Sequence, residues 1–158
     1  MYNIANQKKG ENTNMSKVLI IYYSLSGNTE KMAKAIEEGA KSAGATVTTK
    51  ISLEATAEDF MDCDVVLFGT ANYFNYMAGA VKDFFDRTWF TLKGKVDGKP
   101  YATFGSYGGG KDAAINTLNE RCDQLGLKKA AESVGAQREP TPEALEECKA
   151  LGSKMALM

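Results

Sequence analysis

The feature that most constrains the fold of this chain is its alternation of short apolar runs with longer amphipathic stretches. From Val18 onward, the short runs are rich in β-branched and aromatic residues, whereas the longer stretches repeat apolar residues three or four positions apart. Such alternation is typical of an α/β fold, in which helices connect the strands of a parallel sheet. The first run, residues 18–23, is continuously apolar, as expected for a strand that is covered on both faces.

The alternation predicts one domain with five strands. The predicted strands span residues 18–23, 46–51, 63–68, 100–105 and 128–134. Helices are predicted between and after them, with the first over residues 28–43 and the last over residues 142–155. Residues 1–16 are polar and without period, and we expect a disordered extension there, followed by the domain at residues 17–158.

Three loops are predicted to meet at one edge of this sheet. A doubly wound parallel sheet binds its ligand outside the carboxyl ends of the strands, at the point where the strand order reverses. The loops that follow the first, third and fourth predicted strands lie at that edge, and they span residues 24–29, 70–79 and 106–111. A binding site, if the chain has one, is therefore expected among these three segments.

Composition removes several classes of function. The net charge of −1 provides no basic surface for nucleic acid or for an anionic membrane. No apolar stretch approaches the roughly 20 residues that span a bilayer, and no secretory signal is recognisable, so we expect a cytoplasmic location. The chain has no histidine, and its three cysteines, Cys63, Cys122 and Cys148, are widely spaced. We therefore predict no metal site and no catalytic side chain, and we expect the thiols to be reduced packing groups.

The loop after the first strand has the residues of an anion site. Gly27 can adopt a backbone conformation that turns successive N–H groups toward one point, and the flanking hydroxyls and the helix N-terminus add further donors. The loop contains no lysine or arginine, which favours a phosphate monoester over the triphosphate of an NTPase. The same residue types would also occur in an ordinary helix N-cap followed by a tight turn.

The hexapeptide Ser24-Leu25-Ser26-Gly27-Asn28-Thr29 resembles the loop that binds the FMN phosphate in flavodoxins, which has the form Ser/Thr-x-Ser/Thr-Gly-Asn-Thr directly after strand one. The resemblance implies a flavodoxin-like, doubly wound five-stranded parallel sheet in the order 2-1-3-4-5. It also implies FMN as the cofactor. All six residues of the hexapeptide are predicted to bind it.

The other two loops are predicted to hold the flavin ring. The second loop combines aromatic and amide side chains, which suit a flat ring with polar edges, although Tyr73, Phe74 and Tyr76 could instead cover the adjacent helix. The third loop offers backbone N–H groups and Tyr107 as a stacking face, although it could be a bare turn. The predicted contacts are Ala71, Asn72, Tyr73, Phe74 and Asn75 in the second loop, and Ser106, Tyr107, Gly108, Gly109 and Gly110 in the third.

One other motif overlaps the third loop. Residues 105–111 match the beginning of a Walker A sequence, which would indicate a nucleoside triphosphatase. The next residue is Asp112, where that motif requires Ser or Thr to coordinate magnesium. A signalling receiver domain would need carboxylates at the ends of strands one and three, and the chain has Ser24 and Thr70 there. We set both interpretations aside.

Two functions are compatible with an FMN site. The first is an electron carrier that passes electrons from the flavin to a redox partner protein or a small acceptor, which requires no acid or base and so accords with the absence of histidine. The second is an NAD(P)H-dependent quinone or FMN reductase. The segments Asp86-Arg87-Thr88-Trp89 and Gly98-Lys99-Pro100 resemble the sequences of that branch of the superfamily. Residues 104–108 and Glu139-Pro140 resemble small clostridial-type flavodoxins instead. We favour the carrier and predict no particular oligomeric state.

Overall fold

A computed structural model describes residues 15–158, so most of the disordered extension predicted for residues 1–16 lies outside the described residues. The described part of the chain forms seven strands and five helices, in the order β1 (Lys17–Tyr22), α1 (Asn28–Ser42), β2 (Thr46–Ile51), α2 (Ala57–Asp62), β3 (Val65–Tyr73), β4 (Tyr76–Met77), α3 (Gly79–Leu92), β5 (Pro100–Tyr107), α4 (Ala113–Gln124), β6 (Lys128–Lys129), β7 (Val134–Gln137) and α5 (Pro142–Ala156).

The sheet has the predicted strand order. Its parallel strands run β2-β1-β3-β5, and β6 and β7 both pair with the outer side of β5. With β6 and β7 taken as the predicted fifth strand, this is the order 2-1-3-4-5, so the flavodoxin-like fold is confirmed. The order reverses between β1 and β3, which pair directly from Val18↔Val65 to Tyr22↔Gly69. The carboxyl ends of β1, β3 and β5 therefore lie side by side.

The helices cover the sheet on both faces. One apolar cluster joins α1 and α5 to the sheet through residues such as Ile20, Ile36 and Met155. The second joins α2, α3 and α4 to the opposite face through residues such as Phe68 and Phe84. Burial on both faces explains why the first run is apolar throughout rather than alternating.

Helices α1 and α5 cross at backbone contact. Gly39 of α1 lies against the carbonyl oxygen of Lys149, and Gly152 of α5 lies against the carbonyl oxygen of Ile36, so closely that a Cβ at either glycine would overlap the facing backbone. The Ser153 hydroxyl also donates to the Gly39 carbonyl oxygen at 3.0 Å. This crossing fixes α1 against α5 without intervening side chains.

The structure corrects two of the predicted strands. The predicted third strand, residues 63–68, begins later and continues to Tyr73, where a two-residue turn leads into the antiparallel β4. The predicted fifth strand, residues 128–134, is two separate pieces. Between those pieces the Thr103 hydroxyl contacts the Ser133 hydroxyl at 2.6 Å, so side-chain bonds occupy the gap in the backbone ladder.

Helix α2 was not predicted. It is only six residues long, too short to show a helical period, but it carries a capping box in which Thr56 and Asp59 exchange side-chain and backbone hydrogen bonds. The spacing Thr-x-x-Asp is the signal that could have indicated it.

Candidate functional site

The three predicted loops converge on one cavity at the carboxyl edge of the sheet. The cavity has a volume of about 210 Å³ and lies between the end of β1, the β3–β4 hairpin and the end of β5. Its walls combine hydroxyl, amide and aromatic side chains with exposed backbone. The lining residues are Leu25, Ser26, Asn28, Ala71, Asn72, Tyr73, Ser106, Tyr107, Gly108 and Arg138.

The first loop has the backbone geometry expected of an anion site. Gly27 is the N-cap of α1 and has φ +95°, the left-handed conformation that glycine adopts without strain. Its N–H donates to the Ser24 hydroxyl at 3.1 Å. Within the described residues, no side chain caps the N-terminus of α1. The ordinary N-cap alternative therefore lacks its hydrogen bond, and the first-turn N–H groups keep no side-chain acceptor.

A buried hydrogen bond between Thr29 and Ser106 links the first loop to the end of β5. Both residues are buried, and their hydroxyl oxygens are 2.8 Å apart. This bond joins the first turn of α1 to the end of β5. Ser106 still contributes to the cavity lining, whereas Thr29, Ser24 and Gly27 do not line the cavity.

The second loop is a β-hairpin rather than an irregular loop. Asn72 and Tyr73 pair with Met77 and Tyr76, and the two turn residues between them, Phe74 and Asn75, both have φ of +58°. Positive φ at both positions defines the type I′ turn, which costs a phenylalanine about 1–2 kcal/mol relative to its favoured conformations.

The aromatic residues of this hairpin have different environments. Tyr73 lines the cavity and packs against the core, whereas Phe74 is fully exposed at the tip and does not line the cavity. Burial, reinforced by the neighbouring Tyr23, raises the pKa of Tyr73, so its hydroxyl stays protonated at neutral pH. The alternative that these aromatic residues only cover neighbouring structure therefore applies in part to Tyr73 and not to Phe74.

The second and third loops are bonded to each other. The Asn72 side-chain amide donates to the Gly109 carbonyl oxygen at 2.9 Å. Gly110 lies so close to the side chains of Asn72 and Asn75 that a Cβ there would overlap Asn75. Gly109, Gly110 and Asn75 thus hold the hairpin against the third loop and do not line the cavity.

The third loop begins inside a strand. Ser106 and Tyr107 belong to β5 and pair with β7 at Ala136 and Gln137, and the loop proper starts at Gly108. The Gln137 side-chain amide donates to the Gly108 carbonyl oxygen at 3.1 Å. Three of the seven residues of the Walker-like sequence are therefore extended strand, which shortens the loop that a triphosphate site would need.

Arg138 is the lining residue that sequence reasoning missed. It follows β7, has φ +57°, and its backbone N–H donates to the Tyr107 carbonyl oxygen at 2.7 Å. The predicted fifth strand ended at residue 134, so residue 138 was not placed at the sheet edge. The first loop contains no lysine or arginine, but Arg138 adds a positively charged side chain to the cavity lining from more than 100 residues further along the chain.

Several other features lie outside this cavity. Cys63, Cys122 and Cys148 are free and buried, and burial raises the pKa of the Cys63 and Cys148 thiols to about 11 and about 12. Among residues 15–158, no group of three or more acidic, cysteine or histidine side chains is arranged to hold a metal ion. In the same part of the chain, every helix is too short or too polar to cross a membrane.

Comparisons with known proteins agree with this geometry. The sequence model of the family described as Flavodoxin matches residues 20–152. A flavodoxin from Aquifex aeolicus is 37% identical over 108 residues, which cover 66% of this chain and 58% of that protein. An NAD(P)H dehydrogenase (quinone) 3 from Rhizobium meliloti is 36% identical over 138 residues, 72% of this chain and 65% of that protein. The chain spans less than two thirds of the length of both relatives.

Solved structures extend the likeness to about nine tenths of the chain. The solution structure of two-electron reduced Megasphaera elsdenii flavodoxin has a TM-score of 0.72 and 33% sequence identity, and the match covers 89% of this chain and 99% of that one. A flavodoxin from the domain Archaea has a TM-score of 0.79 and 27% identity, and covers 89% of this chain and 96% of that one.

Proposed function

The chain belongs to the flavodoxin family, and from this we propose that its cavity binds FMN and that the bound flavin carries electrons to a redox partner protein or a small acceptor. Members of the family bind FMN and transfer electrons through it. The observation that carries the proposal is the convergence of three separate loops on one cavity at the reversal of strand order.

The residues around the cavity suit the chemistry of the cofactor. Ser26, Asn28 and the first-turn N–H groups of α1 would hold the phosphate, because they offer neutral donors at the positive end of a helix. Tyr73 and Tyr107 would provide flat faces for the ring, and Asn72 and Gly108 would provide polar groups at its edge. When bound, FMN supplies the exchange of one or two electrons.

This arrangement supports a carrier because it needs no acid or base from the protein. The chain has no histidine, and within the described residues no carboxylate lines the cavity. A cytoplasmic location stays a prediction. The three free thiols agree with it, because free thiols persist in a reducing compartment.

A second candidate function is an NAD(P)H-dependent quinone reductase. The observations in its favour are the likeness to NAD(P)H dehydrogenase (quinone) relatives and the exposed aromatic residues of the hairpin, Phe74 and Tyr76, which could contact a planar substrate. Any proton needed in that reaction would come from water or from a tyrosine such as Tyr73, whose raised pKa keeps it protonated.

Binding of FMN is the first prediction. We expect the purified protein to be yellow, or the apoprotein to quench the fluorescence of added FMN at a stoichiometry of one flavin per chain. Because the three loops are already in contact, the dissociation constant should lie at about 1 μM or below. Protein that remains colourless and quenches no fluorescence at 100-fold higher concentration would contradict the proposed function.

Anaerobic mixing with NADPH separates the two candidates. We expect the flavin of the carrier to stay oxidised over several minutes in excess NADPH and to be bleached only by dithionite. Bleaching within seconds by NADPH, followed by reoxidation on addition of a quinone, would instead establish the reductase. The absorbance of the flavin near its visible maximum is the readout in both cases.

A further inference from the structure

Arg138 brings a positive charge into the cavity. Of the residues that line the cavity, it is the one with a charged side chain, and the rest are hydroxyl, amide, aromatic or small apolar residues. The side chain is exposed. Within residues 15–158 no carboxylate forms an ion pair with its guanidinium, whereas the adjacent Glu139 is paired with Lys31 at 2.7 Å. The charge of Arg138 is therefore available to a ligand.

The backbone holds this residue at the cavity. The N–H of Arg138 donates to Tyr107, and the Glu139–Lys31 ion pair ties the next residue to the first turns of α1. The left-handed φ of +57° is one that asparagine or glycine would adopt with less strain. Asparagine or glycine would suit the backbone of this turn better, so what arginine adds here is its charged side chain.

We propose that Arg138 is the cationic residue of the flavin site and that its guanidinium pairs with an anionic group of the bound nucleotide. This rests on the proposed binding of FMN. Two parts of the nucleotide are anionic, namely the phosphate and the flavin ring once it is reduced at neutral pH. Both would attract a guanidinium in a cavity that otherwise has neutral donors, because nothing else there neutralises the charge.

The test compares three variants of the full chain. Arg138→Asn removes the charge and relieves the backbone, and Arg138→Lys keeps the charge. Lys128→Asn removes the same charge from β6, an exposed strand at the opposite end of β5 from the cavity. The dissociation constants of FMN and of riboflavin are measured at low and at high salt, together with the two-electron midpoint potential of the bound flavin.

We expect Arg138→Asn to weaken FMN binding by about tenfold at low salt and by less at high salt, for oxidised FMN if the phosphate is the partner and for reduced FMN if the ring is the partner. Arg138→Lys should stay within about threefold of the unmodified protein, and Lys128→Asn within about twofold. If the phosphate is the partner, riboflavin affinity is unchanged in Arg138→Asn. If the reduced ring is the partner, the midpoint potential falls, by about 30 mV for each tenfold loss of affinity for reduced over oxidised flavin.

The melting temperature of the apoprotein shows whether each variant still folds, so a loss of affinity can be told apart from a loss of stability. It should be unchanged or higher in Arg138→Asn, since asparagine tolerates positive φ. The assignment is overturned if Arg138→Asn matches Lys128→Asn in both affinities and in potential. If the unmodified chain does not bind FMN, both the proposed function and this assignment are overturned. If the unmodified chain binds FMN and the variants do not differ, only the assignment is overturned.

Discussion

Alanine in place of Gly152 should lower the free energy of unfolding by about 3 kcal/mol, a large effect for a single methyl group. The new Cβ would overlap the carbonyl oxygen of Ile36, which belongs to the backbone of α1 and cannot rotate away. Helices α1 and α5 would have to separate and loosen the apolar cluster that both share with the sheet. The melting temperature should fall by roughly 10 °C.

Gly79→Ala is the matched control. Gly79 is the first residue of α3, and a Cβ there meets nothing within 4 Å. Alanine at this position should be neutral or should stabilise the protein by about 0.5–1 kcal/mol, because it reduces the freedom of the unfolded chain. Urea denaturation followed by circular dichroism measures both variants. Equal stability of the two variants would show that the helix crossing is looser than the structure has it.

Valine in place of Gly27 should reduce FMN affinity by at least about tenfold. The position has space for a side chain, since nothing lies within 4 Å of a Cβ there, so the effect must come from the backbone. A β-branched residue disfavours φ of +95°, and a change of φ would turn the N–H groups at the start of α1 away from the cavity. Gly27→Asn should retain most of the affinity, because asparagine accepts positive φ.

Gly44→Val is the control for this substitution. Gly44 follows the other end of α1, has φ of +94°, and also has open space around its Cβ position. Its replacement introduces the same backbone strain about 25 Å away from the loop, at 1.5 Å per residue of helix. Both valine variants should lose a similar amount of stability, and only Gly27→Val should lose FMN affinity in a fluorescence titration. Unchanged affinity in Gly27→Val would show that the loop does not bind the phosphate.

Much of the fold could be predicted because its signals are local and repeated. The continuous apolar run of β1 follows from burial on both faces, and Gly27 precedes a helix that begins at Asn28, as expected. The loops were found by topology, which places the ends of β1, β3 and β5 side by side whatever the detail of each strand. These predictions depended on periodicity and on the order of elements.

The parts that were wrong depend on interactions between distant residues. The hairpin after β3 requires Phe74 to adopt a conformation that its type disfavours, so no local preference indicates the turn. The gap between β6 and β7 reflects side-chain bonds from Thr103, which is about 30 residues away in the chain. Arg138 reaches the cavity only because β7 pairs with the end of β5. The Thr103–Ser133 contact and the pairing of β7 with β5 both join residues that are far apart in the sequence, so no short window of residues indicates them.

The backbone contact between α1 and α5 also determines which side of the cavity can open. Gly39 and Gly152 pack on the facing helices and Lys31 pairs with Glu139, so the loop before α1 and the segment before α5 are joined through two closely packed helices. The opposite side is held by hydrogen bonds rather than by helix backbones in contact, namely those from Asn72 to Gly109, from Gln137 to Gly108 and from the Met77 N–H to the Thr117 hydroxyl. We therefore expect a flavin to enter and leave by displacement of the hairpin and the third loop, for which these hydrogen bonds must break.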